Sequence, residues 1–332
     1  MGGQQTSQAE PHQHDHSHGV VDPVMFTHQR GLWAIRWSWY GLLATAALQL
    51  FVVSISGSVA LLADTIHNLG DAGTAIPLWL AFRLAQRPPT KHFTYGYGRV
   101  EDLAGLSIVL IILASAILAG WTAIERLLHP QPISHLGAVM AASIIGFLGN
   151  EVVAWLRLRV GREIGSAALV ADGHHARVDG LTSLAVLFGA LGAKLGYPIA
   201  DPLVGLLITV MILGIVWESS RPVFARLLDG VDPMVVDEIE GISRRTSGVE
   251  DVREIRVRWI GHRLHAEINL AVAPELSVLH GHDIADAVRH QILHDLSYLS
   301  SATIHVDPTT RSGEAHHRIV NHQHGALPTH SH

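Results

Sequence analysis

The sequence predicts a membrane protein: a six-helix transmembrane bundle followed by a cytoplasmic α/β domain of order αββαβ, ferredoxin-like in plan. Three observations carry this. Only 16% of the 332 residues are charged, against about 25% in a soluble protein, and the mean hydropathy is +0.28. The charge-free stretches are confined to the first two thirds of the chain, at lengths near the roughly 20 residues that cross a bilayer. Beyond residue 217 the apolar residues fall instead into helical and period-two patterns.

The elements follow in order. Residues 1–28 are polar, His-rich and without an apolar core, so they read as a disordered tail and not as a cleavable signal. Residues 29–220 form the membrane domain. A first span lies in 37–63 and is broken at Ser56-Gly57-Ser58, which predicts a tight turn. A second covers 59–82 and carries Asp64, His67 and Asp71. The third, 103–124, is free of charge. The fourth, 136–156, holds Glu151, and the fifth, within 164–193, holds Asp172, His174, His175, Arg177 and Asp179. The sixth, 196–217, has Asp201 near its start.

Basic residues favour cytoplasmic loops. Arg30, Arg36, Arg83, Arg87, Lys91, Arg99, Arg157, Arg159 and Arg162 fall to one side, against Arg126 and Lys194 on the other. Both termini are therefore expected in the cytoplasm. A small domain, 221–310, follows. Residues 233–246 read as an amphipathic helix. Ile255, Val257 and Trp259 alternate with arginines in a first strand, Ile260-Gly261-His262-Arg263 turns the chain, and 264–272 alternates again. A helix over 280–296 and a strand over 302–306 complete the order. The tail, 311–332, lacks apolar periodicity.

Composition also excludes. No cysteine is present, which removes thiolate metal sites, iron–sulfur clusters and cysteine nucleophiles. A formal charge of −6 gives no electrostatic case for nucleic acid. The 24 histidines nearly match the 29 carboxylates, and neutral imidazole is the commonest metal ligand.

An internal repeat carries the chemistry. Asp64-x-x-His67-x-x-x-Asp71 in the second span recurs as Asp172-x-x-His175-x-x-x-Asp179 in the fifth, each after an alanine and at one constant offset. Residues i and i+4 share a helix face, so His67 with Asp71 and His175 with Asp179 project together. If the two helices face each other, two imidazoles and two carboxylates form a nitrogen–oxygen set suited to tetrahedral zinc. Ionisable groups inside a membrane are costly and mark ion or substrate paths. Asp64 and Asp172, one turn earlier, read as further ligands, orienters of the histidines, or proton acceptors. His174 is rotated about 100° from His175, and Arg177 should face away, towards a carboxylate such as Glu151.

These motifs resemble the cation diffusion facilitator family of the zinc-transporter type over residues 33–310. The likeness rests on Ala63 to Asp71, on Phe93-Thr94-Tyr95-Gly96-Tyr97-Gly98-Arg99-Val100-Glu101, and on His175-Ala176-Arg177-Val178-Asp179. It rests also on Ala200-Asp201-Pro202 and Ile304-His305-Val306-Asp307-Pro308. The resemblance implies a homodimer with a metallochaperone-like cytoplasmic domain that exports divalent metal, Zn2+ above all, in exchange for protons. It implies His67, Asp71, His175 and Asp179 as the transport site, and Arg99 with Asp229 as a charge pair near the dimer axis. Phe93 and Tyr97 stand where some members place a second metal site, although His92 is close by. His282, His305 and Asp307 match a regulatory zinc site in the cytoplasmic domain, with His265 as a candidate fourth ligand. Two further positions often held by histidine are Arg253 and Asn269 here.

His12, His14, His16 and His18, and His316, His317, His322, His324, His330 and His332, read as tails that collect metal weakly. The proton coupling also has a physical ground, because metal binding requires neutral imidazole and ionised carboxylate and so releases protons. No organic cofactor is expected. A metalloprotease lacks its His-Glu-x-x-His, and an ATP-driven pump its Gly-x-x-x-x-Gly-Lys-Ser/Thr. A channel would favour weaker, multi-site binding, and a membrane metal sensor remains the alternative. The short connections fit a bacterial inner membrane.

Overall fold

The computed structural model describes residues 23–56, 75–129, 136–197, 199–296 and 298–313. Among the described residues, the first part of the chain contains α1 (Pro23–Ser56), α2 (Ala75–Ala85), α3 (Arg99–Leu128), α4 (Leu136–Glu163), α5 (Ala167–Lys194) and α6 (Ala200–Leu227), which fall in or overlap the segments expected to span the membrane. Among the described residues, α3 to α6 are long and apolar enough to cross a bilayer. The cytoplasmic part contains α7 (Pro233–Arg245), β1 (Asp251–Ile260), β2 (Arg263–Val272), α8 (Val278–Asp295) and β3 (Leu299–Pro308), which is the αββαβ order.

The first helix begins earlier than the sequence reading placed it. Pro23 opens α1 inside the segment assigned to the tail; proline suits a first helical position, where its missing N–H is not needed. Leu32, Ala34 and Ile35 are buried beyond it, and the Arg30 guanidinium donates to both oxygens of Glu163 in α4 at 2.7 and 2.8 Å. Packing and this ion pair hold a polar stretch that hydropathy alone left outside the bundle.

Small residues set the helix spacing, as close packing in a membrane requires. A Cβ on Gly105 of α3 would lie 3.1 Å from the Ala168 Cα of α5. One on Gly161 of α4 would lie 2.9 Å from the Val170 backbone nitrogen, and one on Gly173 of α5 would lie 3.0 Å from that of Leu158. Because these obstacles are backbone atoms, the neighbour cannot rotate aside. Gly161→Ala is expected to destabilise the protein by about 1–3 kcal/mol, read as a lower thermal unfolding midpoint in detergent. An unchanged midpoint would show that α4 and α5 separate without cost.

α6 ends in a glycine-type cap without a glycine at its key position. Asp229 takes φ 59°, the Gly230 amide donates to Ala225 O at 2.7 Å, and the Asp229 amide donates to Arg226 O. Aspartate is among the few residues that tolerate this left-handed conformation. Asp232 then caps α7 by accepting from the Met234 amide at 3.0 Å, with Pro233 at the first turn.

In the sheet, β2 is central: β1 pairs with it antiparallel and β3 parallel. The parallel step needs a crossover, which α8 supplies. Alternate residues Leu264, Ala266, Ile268 and Leu270 of β2 pack with Ile239 and Ile242 of α7 and Val288 and Ile292 of α8. The turn between β1 and β2 holds Gly261 at φ 63° and points into the membrane domain, as described below.

Candidate metal centres

α5 carries the described half of the intramembrane repeat. Ser166 caps it, accepting from the Leu169 amide at 3.1 Å. Two turns further on, His175 is 2% exposed. Its Nδ1 lies 3.8 Å from Asp179 Oδ1, the one-face arrangement that the i, i+4 spacing demands. Both ring nitrogens of His175 are buried without a hydrogen-bond partner among the described residues. An imidazole left so costs about 1–3 kcal/mol, unless it exists to meet a ligand. His67 and Asp71, the other pair of the repeat, and Asp64 lie outside the described residues, as do the tail histidines. Among the described residues no three His, Asp or Glu side chains converge on one metal position.

Asp172 has a partner that the sequence reading did not assign. Its carboxylate lies 3.1 Å from Arg157 Nη1, with the two side chains 0% and 1% exposed. The same nitrogen donates to Asp172 O at 3.4 Å. Arg157 is not the cytoplasmic loop cation that the charge distribution predicts. It belongs instead to the interior of α4, where Gly173 lets α5 approach closely enough for the pair to form. Arg177 meets Glu151 at 2.6 Å, as its orientation suggested. A further pair went unread: Arg126 of α3 meets Asp201 of α6 at 2.8 Å.

Arg99 and Asp229 form an ion pair, and Arg99 Nη1 also donates to Arg226 O at 2.8 Å. The start of α3 is thereby tied to the end of α6, where the chain leaves the membrane domain.

In the cytoplasmic domain, His305 Nε2 lies 2.9 Å from Asp307 Oδ1. The two residues share one face of β3, as alternation requires. They line a groove of about 420 Å³ together with His282 of α8. His265 does not join them. It pairs with Ser301, whereas His305 pairs with Asn269, four residues or roughly 13 Å along β2. Its Nε2 lies 3.2 Å from Ser300 Oγ. The strand register, which alternation alone does not fix, separates His265 from the groove. Asn269 donates to Glu254 at 3.2 Å and Arg253 pairs with Asp251 at 3.1 Å, so the two positions without histidine are held by carboxylates.

Burial, reinforced by Arg258 and Arg263, holds the His265 imidazole below its usual range. The folded domain therefore binds this proton less readily than the unfolded chain. Its contribution is intact above the ordinary imidazole value of about 6.5 and is lost as pH falls below it, levelling off beneath the folded value. His265→Gln should flatten the unfolding midpoint between pH 7 and 5 relative to wild type. Parallel pH curves would mean that another group sets the acid slope.

The described apolar helices thus carry a buried His–Asp pair and are joined to an αββαβ domain with a second such pair. Residues 37–228 match the cation efflux transmembrane domain, and 231–309 match the cation efflux protein cytoplasmic domain. The chain belongs to this cation efflux family, the cation diffusion facilitators. It is 53% identical over 298 residues to the probable cation efflux system protein MT2084 of Mycobacterium tuberculosis, covering 90% of each chain. It is 30% identical to the zinc transporter ZitB of Escherichia coli, covering 76% of this chain and 80% of that one. It is also 30% identical to metal tolerance protein 2 of Oryza sativa, covering 76% and 72%.

Proposed function

We propose that this protein exports Zn2+ from the cytoplasm in exchange for protons by alternating access, as a homodimer in a bacterial inner membrane with both termini cytoplasmic. The observation that carries the reading is His175: a buried imidazole in an apolar helix, both nitrogens without partners among the described residues, one turn from Asp179. With His67 and Asp71 from the repeat, the site would offer two neutral imidazoles and two carboxylates. That set balances a divalent cation and suits tetrahedral zinc. A relative named as a zinc transporter supports the choice of metal.

Protons and metal compete for the same four groups. Metal arriving from the cytoplasm displaces protons, and protons from the outer side displace the metal once the site has turned outward. The loaded site and the protonated site are both near neutral, so either crosses the apolar interior at less cost than the empty, ionised site. In the cytoplasmic domain, His305 and Asp307, already in contact, would hold a regulatory zinc with His282 drawn in from the other wall of the groove. His305→Ala with Asp307→Ala is expected to remove that binding, counted by titration of the full chain, and to leave binding in the membrane domain.

The test is zinc flux into sealed proteoliposomes with and without an imposed pH gradient. Flux that follows the gradient supports antiport. Flux indifferent to it indicates a uniporter or channel. No flux with tight zinc binding retained indicates a sensor.

A further inference from the structure

The β1–β2 turn of the cytoplasmic domain is seated among the ends of the membrane helices by a buried polar network that plays no part in the metal sites. His262 Nδ1 lies 2.6 Å from Glu101 Oε2 of α3, with the side chains 2% and 1% exposed. The His262 ring stacks on Phe82 of α2 at 5.5 Å and meets His28 of α1 edge-on at 4.5 Å. The Gly261 amide donates to Asp102 Oδ2 at 3.3 Å. Fit here is close: a Cβ on Gly98 would lie 2.8 Å from Ile260 O.

Arg226, near the end of α6, spans from this turn to another. Its Nη1 donates to Gly261 O at 2.8 Å and its Nη2 to Gly165 O at 2.6 Å. The guanidinium lies over the Trp259 ring at 4.3 Å. Gly165 is the residue before Ser166, the N-cap of α5, and Glu101 holds the same cytoplasmic turn through His262. One guanidinium thus touches both the cytoplasmic turn and the lead into the helix that carries His175 and Asp179, and the Glu101 carboxylate seats that same turn.

We propose that Arg226 and Glu101 form a clamp that couples the β1–β2 turn of the cytoplasmic domain to the first turn of α5, and so positions that helix during the transport cycle. An apolar plug would seat the turn at no charge-burial cost, since buried ionic networks rarely add net stability. What the network adds is directional. The two arms of a planar guanidinium fix two carbonyls at one separation, which a lysine cannot do. A shift of the cytoplasmic domain therefore moves the start of α5 as a unit with it. Both are positioning residues, distinct from the Arg99–Asp229 pair.

This inference rests on the transporter reading, and the experiment separates the two. Full-length wild type, Arg226→Lys and Glu101→Gln are reconstituted, and zinc flux is measured beside equilibrium zinc binding in detergent. The clamp predicts zinc affinity and KM within twofold of wild type and a turnover lower by tenfold or more. Turnover within twofold of wild type overturns it, as does a loss of affinity in step with turnover, which would mean that the network merely shapes the metal site. If Arg226→Lys does not fold, Glu101→Gln carries the comparison. Absence of zinc flux in wild type would sink the transporter reading instead, and hydrogen exchange then decides the clamp. Faster exchange at residues 166–171 in the variants, with β2 protected as in wild type, supports it, and unchanged exchange overturns it.

Discussion

Asp179→Ala is expected to abolish gradient-driven zinc flux, with a fall in zinc affinity of the membrane site of at least about 100-fold. Loss of groups that only orient a ligand already costs about 10- to 100-fold, and Asp179 stands in the proposed set itself. The substitution leaves His175 in place, 2% exposed, but takes away the carboxylate 3.8 Å from its ring. It also takes one of the two negative charges that balance a divalent cation in an apolar interior. Asp179→Asn keeps a coordinating oxygen and removes only the charge, so it should fail nearly as fully. Isothermal titration of purified protein with zinc, beside flux in proteoliposomes, checks both. Wild-type flux in Asp179→Ala would place the transport site elsewhere.

Breaking the Arg157–Asp172 pair is the second large effect. Asp172→Leu alone should destabilise the protein by about 3–5 kcal/mol, because it leaves an uncompensated guanidinium in the bundle interior. The double change Arg157→Met with Asp172→Leu should recover most of the loss, since similar volume without charge removes the desolvation penalty. The unfolding midpoints of the single and double variants give the answer. Flux in the double variant then assigns a role to Asp172. Zinc transport near the wild-type rate would make the pair structural, whereas a stable protein without proton-coupled flux would make Asp172 a proton carrier. The sequence reading left Asp172 as ligand, orienter or proton acceptor. The arginine now beside it supplies a counter-charge, the simplest reason for a carboxylate to persist at that depth.

The repeat was legible because its spacing is local. Three residues of two types on one helix face, repeated at a constant offset, need no tertiary information to be read. The order of the cytoplasmic elements was legible for the same reason: period two and helical amphipathicity alternate along the chain. The helix bounds were less so. α1 reaches back to Pro23 because the Arg30–Glu163 pair and the packing of Leu32 and Ile35 hold it, and those partners are distant in sequence.

The membrane class and the αββαβ order could therefore be read without the fold, as could the shared face of His175 and Asp179 on α5. Each is a property of a single segment and its period. Only the tertiary structure decided which charges meet. Arg157, a loop cation by its place in the sequence, meets Asp172 because the glycines of α4 and α5 let the helices close on each other. His265, a candidate fourth ligand by residue type, is set apart from His305 by the register of β2 on β3. Nothing in the spacing of Arg226, Glu101 and His262 announced that they pair, because each meets its partners across a long stretch of chain. Composition and spacing record which side chains are present and how they recur; the pairing of buried charges depends on how closely the helices approach and on the alignment of the strands.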